Sequence, residues 1–448
     1  MTPAARIQAA IDLVGDIETS LQPGGAAADR IVSRYFRARR FAGAGDRATI
    51  TDLVYLVLRQ RGRLFWLLGE AGDGDPLSAR GLILAALVHP RDMAVADVAG
   101  LFTGEGYGPA HLDDRERLLL DRLAAVSAGG KEMPRWARLN YPEWLDAPLA
   151  ARFGDDLEAE LGALNQRAPL DLRVNTLKTS REAAADALAT LGAAAEMCPL
   201  SPLGLRLAAR RPVADSAPFR AGEVEPQDEG AQIAAALVDA RSGMQVVDLC
   251  AGAGGKTLAL AAAMKNGGQI HAFDRDRGKC RALRSRIQRA GVRNTQVLGH
   301  PGANKLAALE GKADRVLLDV PCGGSGTWRR NPHLRWRYGA DSLAGFGSRQ
   351  TKLLTTGAGL VKPGGRLVYV TCSVLGAENE ERIGDFLTAR GDFVLLPFAD
   401  VWKSALATAL PDSAATLSEC LQLTPLRHGT DGFFVAILER LDSVPSDR

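Results

Sequence analysis

The 448-residue chain has only six cysteines and six histidines. Cys198, Cys250, Cys280, Cys322, Cys372 and Cys420 form no C-x-x-C pair, and the histidines are equally scattered. This spread argues against a disulfide framework and against a zinc site, so no metal is expected. Free thiols suit a reducing cytoplasm. No apolar run reaches the ~18–20 residues of a transmembrane helix, and the first residues lack a signal-peptide core. No membrane contact is expected. Net charge is +3, from 55 basic and 52 acidic residues, so overall charge indicates no partner and local charge must do so. Nothing suggests an obligate assembly, so a monomer is expected. Internal repeats and low-complexity segments are also missing. What remains is the 46% hydrophobic composition of a soluble globular protein, long enough for two or three domains.

The most informative stretch is 244–257, MQVVDLCAGAGGKT. Val246, Val247 and Leu249 make a short strand. Gly252, Gly254 and Gly255 allow a sharp turn and close approach to a ligand. Leu258 to Met264 is a strong helix former. A helix starting after a glycine loop points free N–H groups into the turn. Spacing separates the candidate ligands. A P-loop needs glycine where Cys250 stands, and a dinucleotide fingerprint needs glycine where Thr257 stands. The remaining pattern, D-x-x-x-G-x-G from Asp248 to Gly254, is that of S-adenosylmethionine (SAM) enzymes. The plain alternative is an ordinary strand–helix turn.

Three further strands favour the ligand. Gln269 to Asp274 ends in an acid, as a ribose-binding strand does. Arg315 to Asp319 delivers Asp319, Pro321 and Cys322. Gly365 to Val370 delivers Thr371, Cys372 and Ser373. Active sites of open α/β sheets lie beyond the carboxyl ends of the strands, so Asp248, Asp274, Asp319, Cys322 and Cys372 should converge.

The rest of the chain divides by pattern. Residues 1–130 read as all helix, with apolar residues at helical spacing over 4–14, 28–38, 48–61 and 79–88. Arg30, Arg34, Arg37, Arg39, Arg40, Arg47, Arg59, Arg61 and Arg63 give this part a basic face, either solvated or facing phosphates. Ser127 to Pro134 reads as a linker. Residues 135–225 read as a small α+β module, with a strand over 172–178 and a helix over 180–191. Residues 226–448 read as the alternating β/α domain. Its late strands, 393–396 and 432–438, form an antiparallel edge.

Two thiols in one SAM crevice suit one difficult reaction, methylation of carbon 5 of a pyrimidine. A thiolate adding to carbon 6 makes carbon 5 nucleophilic, which is covalent catalysis. A carboxylic acid beside the ring, here Asp319, could bond N3 and the exocyclic amine and select cytosine. Each cysteine could instead be a small buried hydrophobe, which suits Cys198, Cys280 and Cys420. Cys250 reads as packing beside the ligand. After Cys322 comes a loop with Arg329, Arg330, Arg335 and Arg337 interleaved with Trp328, His333 and Trp336. Arginines can pair with phosphates and aromatics can stack on bases, so nucleic acid with an unpaired or flipped base is the expected partner.

With these motifs the sequence resembles the RsmB-like (Sun/Fmu) family of RNA cytosine-C5 methyltransferases over nearly its whole length. The resemblance rests on Cys250 to Lys256, on Leu318 to Cys322 with the Arg-Arg-Asn-Pro stretch, on Thr371 to Ser373 followed by Glu378 to Glu380, and on Asp431 to Phe434. It implies a Rossmann-like, doubly wound α/β domain with a mostly parallel seven-stranded sheet over 226–448. A helical, RNA-binding NusB-like domain (1–130) and a small α+β domain (135–225) carrying Arg173, Asn175 and Lys178 would precede it. Cys372 would be the nucleophile, Cys322 would assist product release, and Asp319 would contact cytosine and SAM. Cys250, Ala251, Gly252, Ala253, Gly254, Gly255 and Lys256 would line the SAM site, and Asp274 would hold the ribose. Lys256 and the four loop arginines would meet RNA, implied to be 16S rRNA or the assembling small subunit. Three departures stand out. His300 occupies the place of an acid, Gly-Ala-Gly-Gly replaces Ala-Pro-Gly-Gly, and Pro-Cys-Gly replaces Pro-Cys-Ser.

Three rivals remain. A DNA cytosine methyltransferase would carry Glu-Asn-Val after Cys322, which is missing, and would not need Cys372. The substrate could be another RNA, such as tRNA. A ribosome-assembly factor could keep the fold without catalysis, and SAM binding separates it from the enzyme.

Overall fold

A computed structural model describes residues 1–72, 75, 77–126, 132–208, 213–299 and 303–442. His300 and most of the expected linker, Ser127 to Pro134, lie outside the described residues. Contacts divide the chain into two units, one of residues 1–166 with 328–342, the other of residues 167–327 with 343 onward.

The first unit is helical. Its main helices are Pro3–Thr19, Ala28–Ala38, Ala44–Glu70, Ala79–Val88, Val95–Gly100 and Asp114–Val126. Thr2 and Ser78 cap the first and fourth through side-chain oxygens. Apart from Arg80, which pairs with Glu116, Ala79–Val88 is apolar, so it sits at the centre, with Leu82 to Leu87 at most 1% exposed. The division by contacts also places the helices Arg135–Arg138, Asp146–Phe153 and Leu157–Asn165 in this unit.

Residues 328–342 are also part of this unit, which corrects the expected role of the loop. Trp328, Arg329, His333, Arg335 and Arg337 are buried. Arg335 donates to the carbonyls of Asn140 (2.9 Å) and Leu164 (3.1 Å) and to Asn165 Oδ1 (2.8 Å). Its guanidinium lies 4.9 Å from the Trp328 ring. Arg337 donates to the Ala26 carbonyl at 2.6 Å. Trp336 packs where Gly62 has no side chain, since a Cβ there would lie 3.0 Å from the ring. The interleaved arginines and aromatics are therefore core packing and carbonyl caps, and Arg329, Arg335 and Arg337 do not present their charge to a phosphate. Arg330 is only half-buried.

The second unit begins with a small antiparallel sheet. Its strands are β1 (Leu170–Val174), β2 (Ala195–Met197), β3 (Gly204–Leu207) and β4 (Val224–Pro226), in the order β2-β3-β1-β4. The motif residues fasten it to the helix Arg277–Ala290. Asn175 Nδ2 donates to the Gly222 and Ala290 carbonyls at 2.8 and 2.9 Å. Lys178 Nζ donates to the Ala221 and Arg289 carbonyls at 2.6 and 2.8 Å. Buried Glu225 on β4 pairs with Arg286 and Arg289.

The large sheet follows with β5 (Gln245–Asp248), β6 (Gln269–Asp274), β7 (Thr295–Gly299), β8 (Ala313–Asp319), β9 (Val361–Thr371), β10 (Phe393–Leu396), β11 (Leu421–Gln422) and β12 (Phe434–Arg440). The path is β10-β12-β9-β8-β5-β6-β7, seven strands, with the two-residue β11 as an eighth on β12. The pairs from β7 to β9 are parallel, and those of β12 with β9 and β10 are antiparallel. Neighbouring residues face opposite layers. Val246, Leu317 and Val368 join one core cluster, while Val247, Val316, Leu318, Leu367 and Tyr369 join the other. Helices covering both faces explain these near-continuous apolar strands. Among the described residues no helix is long and apolar enough to cross a membrane.

Candidate active site

Parallel pairing puts the carboxyl ends of β5, β6, β8 and β9 on one edge of the sheet. Each strand delivers one expected group there. β5 ends at Asp248 and runs into Cys250 to Lys256. β6 ends at Asp274, β8 at Asp319 before Cys322, and β9 at Thr371 before Cys372.

The glycine turn has the geometry of a cradle. Gly252 and Gly254 have φ of 57° and 91°. A Cβ on Gly254 would lie 2.1 Å from Leu283 Cδ1, whereas one on Gly252 would meet nothing within 4 Å. One glycine is thus required by packing and the other leaves open space for a ligand. Asp274 fixes the turn by accepting the Gly252 N–H at 2.9 Å. The helix Gly255–Ala263 starts at the same place. Asp248 is buried, its Oδ2 accepting the Thr257 hydroxyl at 2.6 Å. Its Oδ1 is buried without a partner among the described residues. Burial, with Asp319 nearby, pushes its carboxyl up to about 7. An orphaned acceptor beside an open glycine cradle suits a ligand carrying an ammonium group, as the methionine end of SAM does. Cys250 is partly exposed at the same turn, its thiol pushed up by burial and then by Asp248 and Asp319.

Lys256 Nζ lies 2.7 Å from Asp319 Oδ2 and 5.0 Å from the Phe433 ring. The lysine side chain is 9% exposed and the aspartate 34%, so the carboxylate is the member open to a substrate.

Past the ends of β8 and β9 the Cys322 and Cys372 sulfurs are 3.4 Å apart. Both residues are partly exposed. Hydrogen bonding to Cys372, then burial, pushes the Cys322 thiol well up. One backbone and one side-chain contact between the two turns fix the separation. Gly326 N–H donates to the Cys372 carbonyl at 2.9 Å, and the Ser325 and Ser373 hydroxyls are 2.9 Å apart. Asn379 accepts from Thr371 (2.6 Å) and donates to the Ser373 carbonyl (3.0 Å), fixing the Cys372 turn from behind. The Asp431-Gly-Phe-Phe434 motif closes the floor. Gly432 N–H bonds the Gly326 carbonyl at 2.8 Å, and Phe434 meets Tyr369 edge-on.

Sequence reasoning gave no role to Glu378, Asn379 or Gln350, all buried around the cysteine turns. For Glu378 and Asn379 the available signal was the Glu378 to Glu380 motif itself, whereas Gln350, in the polar run Ser348 to Lys352, carried none. A second buried polar cluster, Asp171, Cys198 and Glu229, also went unnoticed. Arg206 pairs with both its carboxylates at 2.7 and 3.4 Å, and the backbone amides of Leu200 and Ser201 donate to Glu229, so it reads as a structural network.

This geometry agrees with what the chain is similar to. The model of the family described as 16S rRNA methyltransferase RsmB/F matches residues 235–439. That of the RsmF/B-like ferredoxin-like domain matches residues 141–214. A probable ribosomal RNA small subunit methyltransferase B of Synechocystis is 33% identical over 88% of this chain and 91% of its own length. Ribosomal RNA small subunit methyltransferase B of Erwinia tasmaniensis is 28% identical over 90% and 92%. The solved structure of a methyltransferase homolog protein from Pyrococcus horikoshii is 30% identical, with a TM-score of 0.58 over 68% of this chain and 97% of that one. The chain belongs to the RsmB/F family of SAM-dependent ribosomal RNA methyltransferases.

Proposed function

We propose that this protein methylates carbon 5 of a cytosine in 16S rRNA through a covalent bond between Cys372 and carbon 6. The observation that carries the reading is the pair of sulfurs 3.4 Å apart, with Cys322 three residues after Asp319, which ends β8 and pairs with Lys256. Bound SAM supplies the methyl group. Residues of the glycine turn, Cys250 to Lys256, would hold it together with Asp274.

The chain's own work has three parts. Cys372 Sγ adds to carbon 6, and the C5–C6 π electrons become available at carbon 5. The thiol gives up its proton and N3 takes one up as sulfur adds, so the ring stays neutral, and the N3–H and the exocyclic amine both donate to the Asp319 carboxylate, which Lys256 holds in place. After carbon 5 is methylated its proton leaves, the C5–C6 double bond re-forms and the carbon–sulfur bond breaks, returning the electron pair to Cys372. The carbon-5 proton goes to solvent, and Cys322, whose thiol is held protonated beside that sulfur, is the group that can give a proton to the departing Cys372 sulfur. A flipped or unpaired base is needed, because the sulfurs lie at the end of the strands.

The test incubates the protein, Cys372→Ala and Cys322→Ala with unmodified 16S transcript and labelled SAM. Products are assayed for 5-methylcytosine and for a covalent band on a denaturing gel. Cys372→Ala should lose methylation and Cys322→Ala should accumulate the band. The reverse pattern would exchange the two roles. SAM binding without methylation of this transcript would point to another RNA, such as tRNA. Absence of both would favour an assembly factor.

A further inference from the structure

Each side of Cys322 is a peptide group, and each is held by a buried side chain. The Pro321 carbonyl, preceding it, accepts from Gln350 Nε2 at 3.0 Å. The Gly323 N–H, following it, donates to Glu378 Oε1 at 2.8 Å. Gln350 and Glu378 are 0% exposed and bond each other, Nε2 to Oε1, at 3.2 Å. Both dihedrals of Cys322 are therefore set by one linked pair. The pair also reaches the other cysteine turn. Glu378 lies six residues after Cys372, and its own carbonyl accepts the Tyr369 hydroxyl at 2.7 Å. Gly323 fits this arrangement, since a Cβ there would lie 3.3 Å from Glu378 Oε2.

A wholly buried carboxyl is costly, and burial pushes Glu378 above the usual carboxylate range. Stability alone would favour an apolar residue here. What the carboxyl provides is a fixed acceptor at one backbone N–H. Misplacing a reacting group by about 1 Å can cost about 100-fold in rate.

We propose that Glu378, with Gln350, is a positioning residue for Cys322, holding its two flanking peptides so that the thiol stays within reach of Cys372 when product is released. This rests on the covalent reading above.

The test uses full-length Glu378→Ala, Glu378→Gln, Cys322→Ala and the Glu378→Ala/Cys322→Ala double variant, with 16S transcript and labelled SAM. First-turnover methyl transfer and the covalent protein–RNA band are read separately. Glu378→Ala should slow release at least about ten-fold more than methyl transfer, so the band accumulates. Glu378→Gln, which keeps an acceptor for Gly323, should restore most of the release rate. The double variant should trap no more than Cys322→Ala. If Cys322→Ala traps the adduct while Glu378→Ala does not, the positioning role is overturned and the covalent reading stands. If Cys322→Ala traps nothing, release by Cys322 falls and this proposal falls with it. Should Glu378→Ala not fold, Gln350→Ala takes its place with the same expected band, and parent-like release by that variant overturns the proposal.

Discussion

The sulfurs of Cys322 and Cys372 lie 3.4 Å apart although 50 residues of chain separate them. Adjacent parallel strands, β8 and β9, bring them together. Their chemistry should differ. The Cys322 thiol is held protonated by its bond to Cys372 and by burial. Cys198, Cys280 and Cys420 are at most 4% exposed. Alkylation of the native protein at neutral pH should therefore label Cys372 first, Cys322 and the partly exposed Cys250 slowly and faster as pH rises, and the three buried cysteines only on unfolding. Mass spectrometry of timed digests reads the order. Faster labelling of Cys322 than of Cys372 would contradict the arrangement.

Asp248 makes the fold pH-dependent. Its carboxyl is raised to about 7, mainly by burial, against an unfolded value of about 3.9. An acid raised in the folded state stabilises below its unfolded pKa, and that contribution is lost as pH rises from about 4 to about 7. The loss is on the order of 4 kcal/mol. Asp248→Asn keeps an acceptor for Thr257 and carries no charge. Its melting temperature without ligand should rise relative to the parent between pH 5 and pH 8, while SAM affinity should fall. An equal difference at both pH values would mean that Asp248 is not the titrating group.

The large sheet was legible because its strands are apolar runs ending in distinctive residues. Val316-Leu-Leu318 before Asp319 and Leu367 to Val370 before Thr371 each announce a buried strand and the polar residue at its tip. The helices at 28–38 and 79–88 were equally plain from their spacing. Glu378 was legible only as part of a motif and Gln350 not at all, because their role depends on tertiary contacts with residues 28 to 55 positions away. The arginine loop misled for a related reason. A row of Arg and Trp has the same composition whether it faces RNA or its own chain, and here backbone carbonyls of the helical unit take the guanidinium donors.

Gly326 and Gly432 meet backbone to backbone, and a Cβ on Gly326 would lie 2.0 Å from the Gly432 oxygen. Neither backbone can step aside without moving a cysteine turn. Gly326→Ala should cost about 3 kcal/mol or more in denaturant unfolding and abolish methyl transfer. Gly345→Ala is the control. It lies exposed in the helix Ala340–Leu360 with nothing within 4 Å, and should be neutral or stabilising by about 0.5–1 kcal/mol. Comparable losses in both variants would show that the close approach is not what matters.

Arg335 separates the two readings of its loop. If it bound phosphate, removing it would weaken RNA binding and lower the salt dependence by about one charge. Its burial and its three acceptors require a different outcome. Burial, then Arg59, depresses its guanidinium to about 9, so the carbonyl dipoles of Asn140 and Leu164 are what keep the cation in place. Arg335→Ala would leave those acceptors unpaired and open a void against Trp328, costing about 2–4 kcal/mol in the helical unit. Arg335→Lys should recover little, because an ammonium cannot span three acceptors set for a planar fork. Both variants should show an earlier thermal transition. Below that transition, the salt slope of RNA affinity should match the parent. A shallower slope with an unchanged melting temperature would restore the phosphate-binding role.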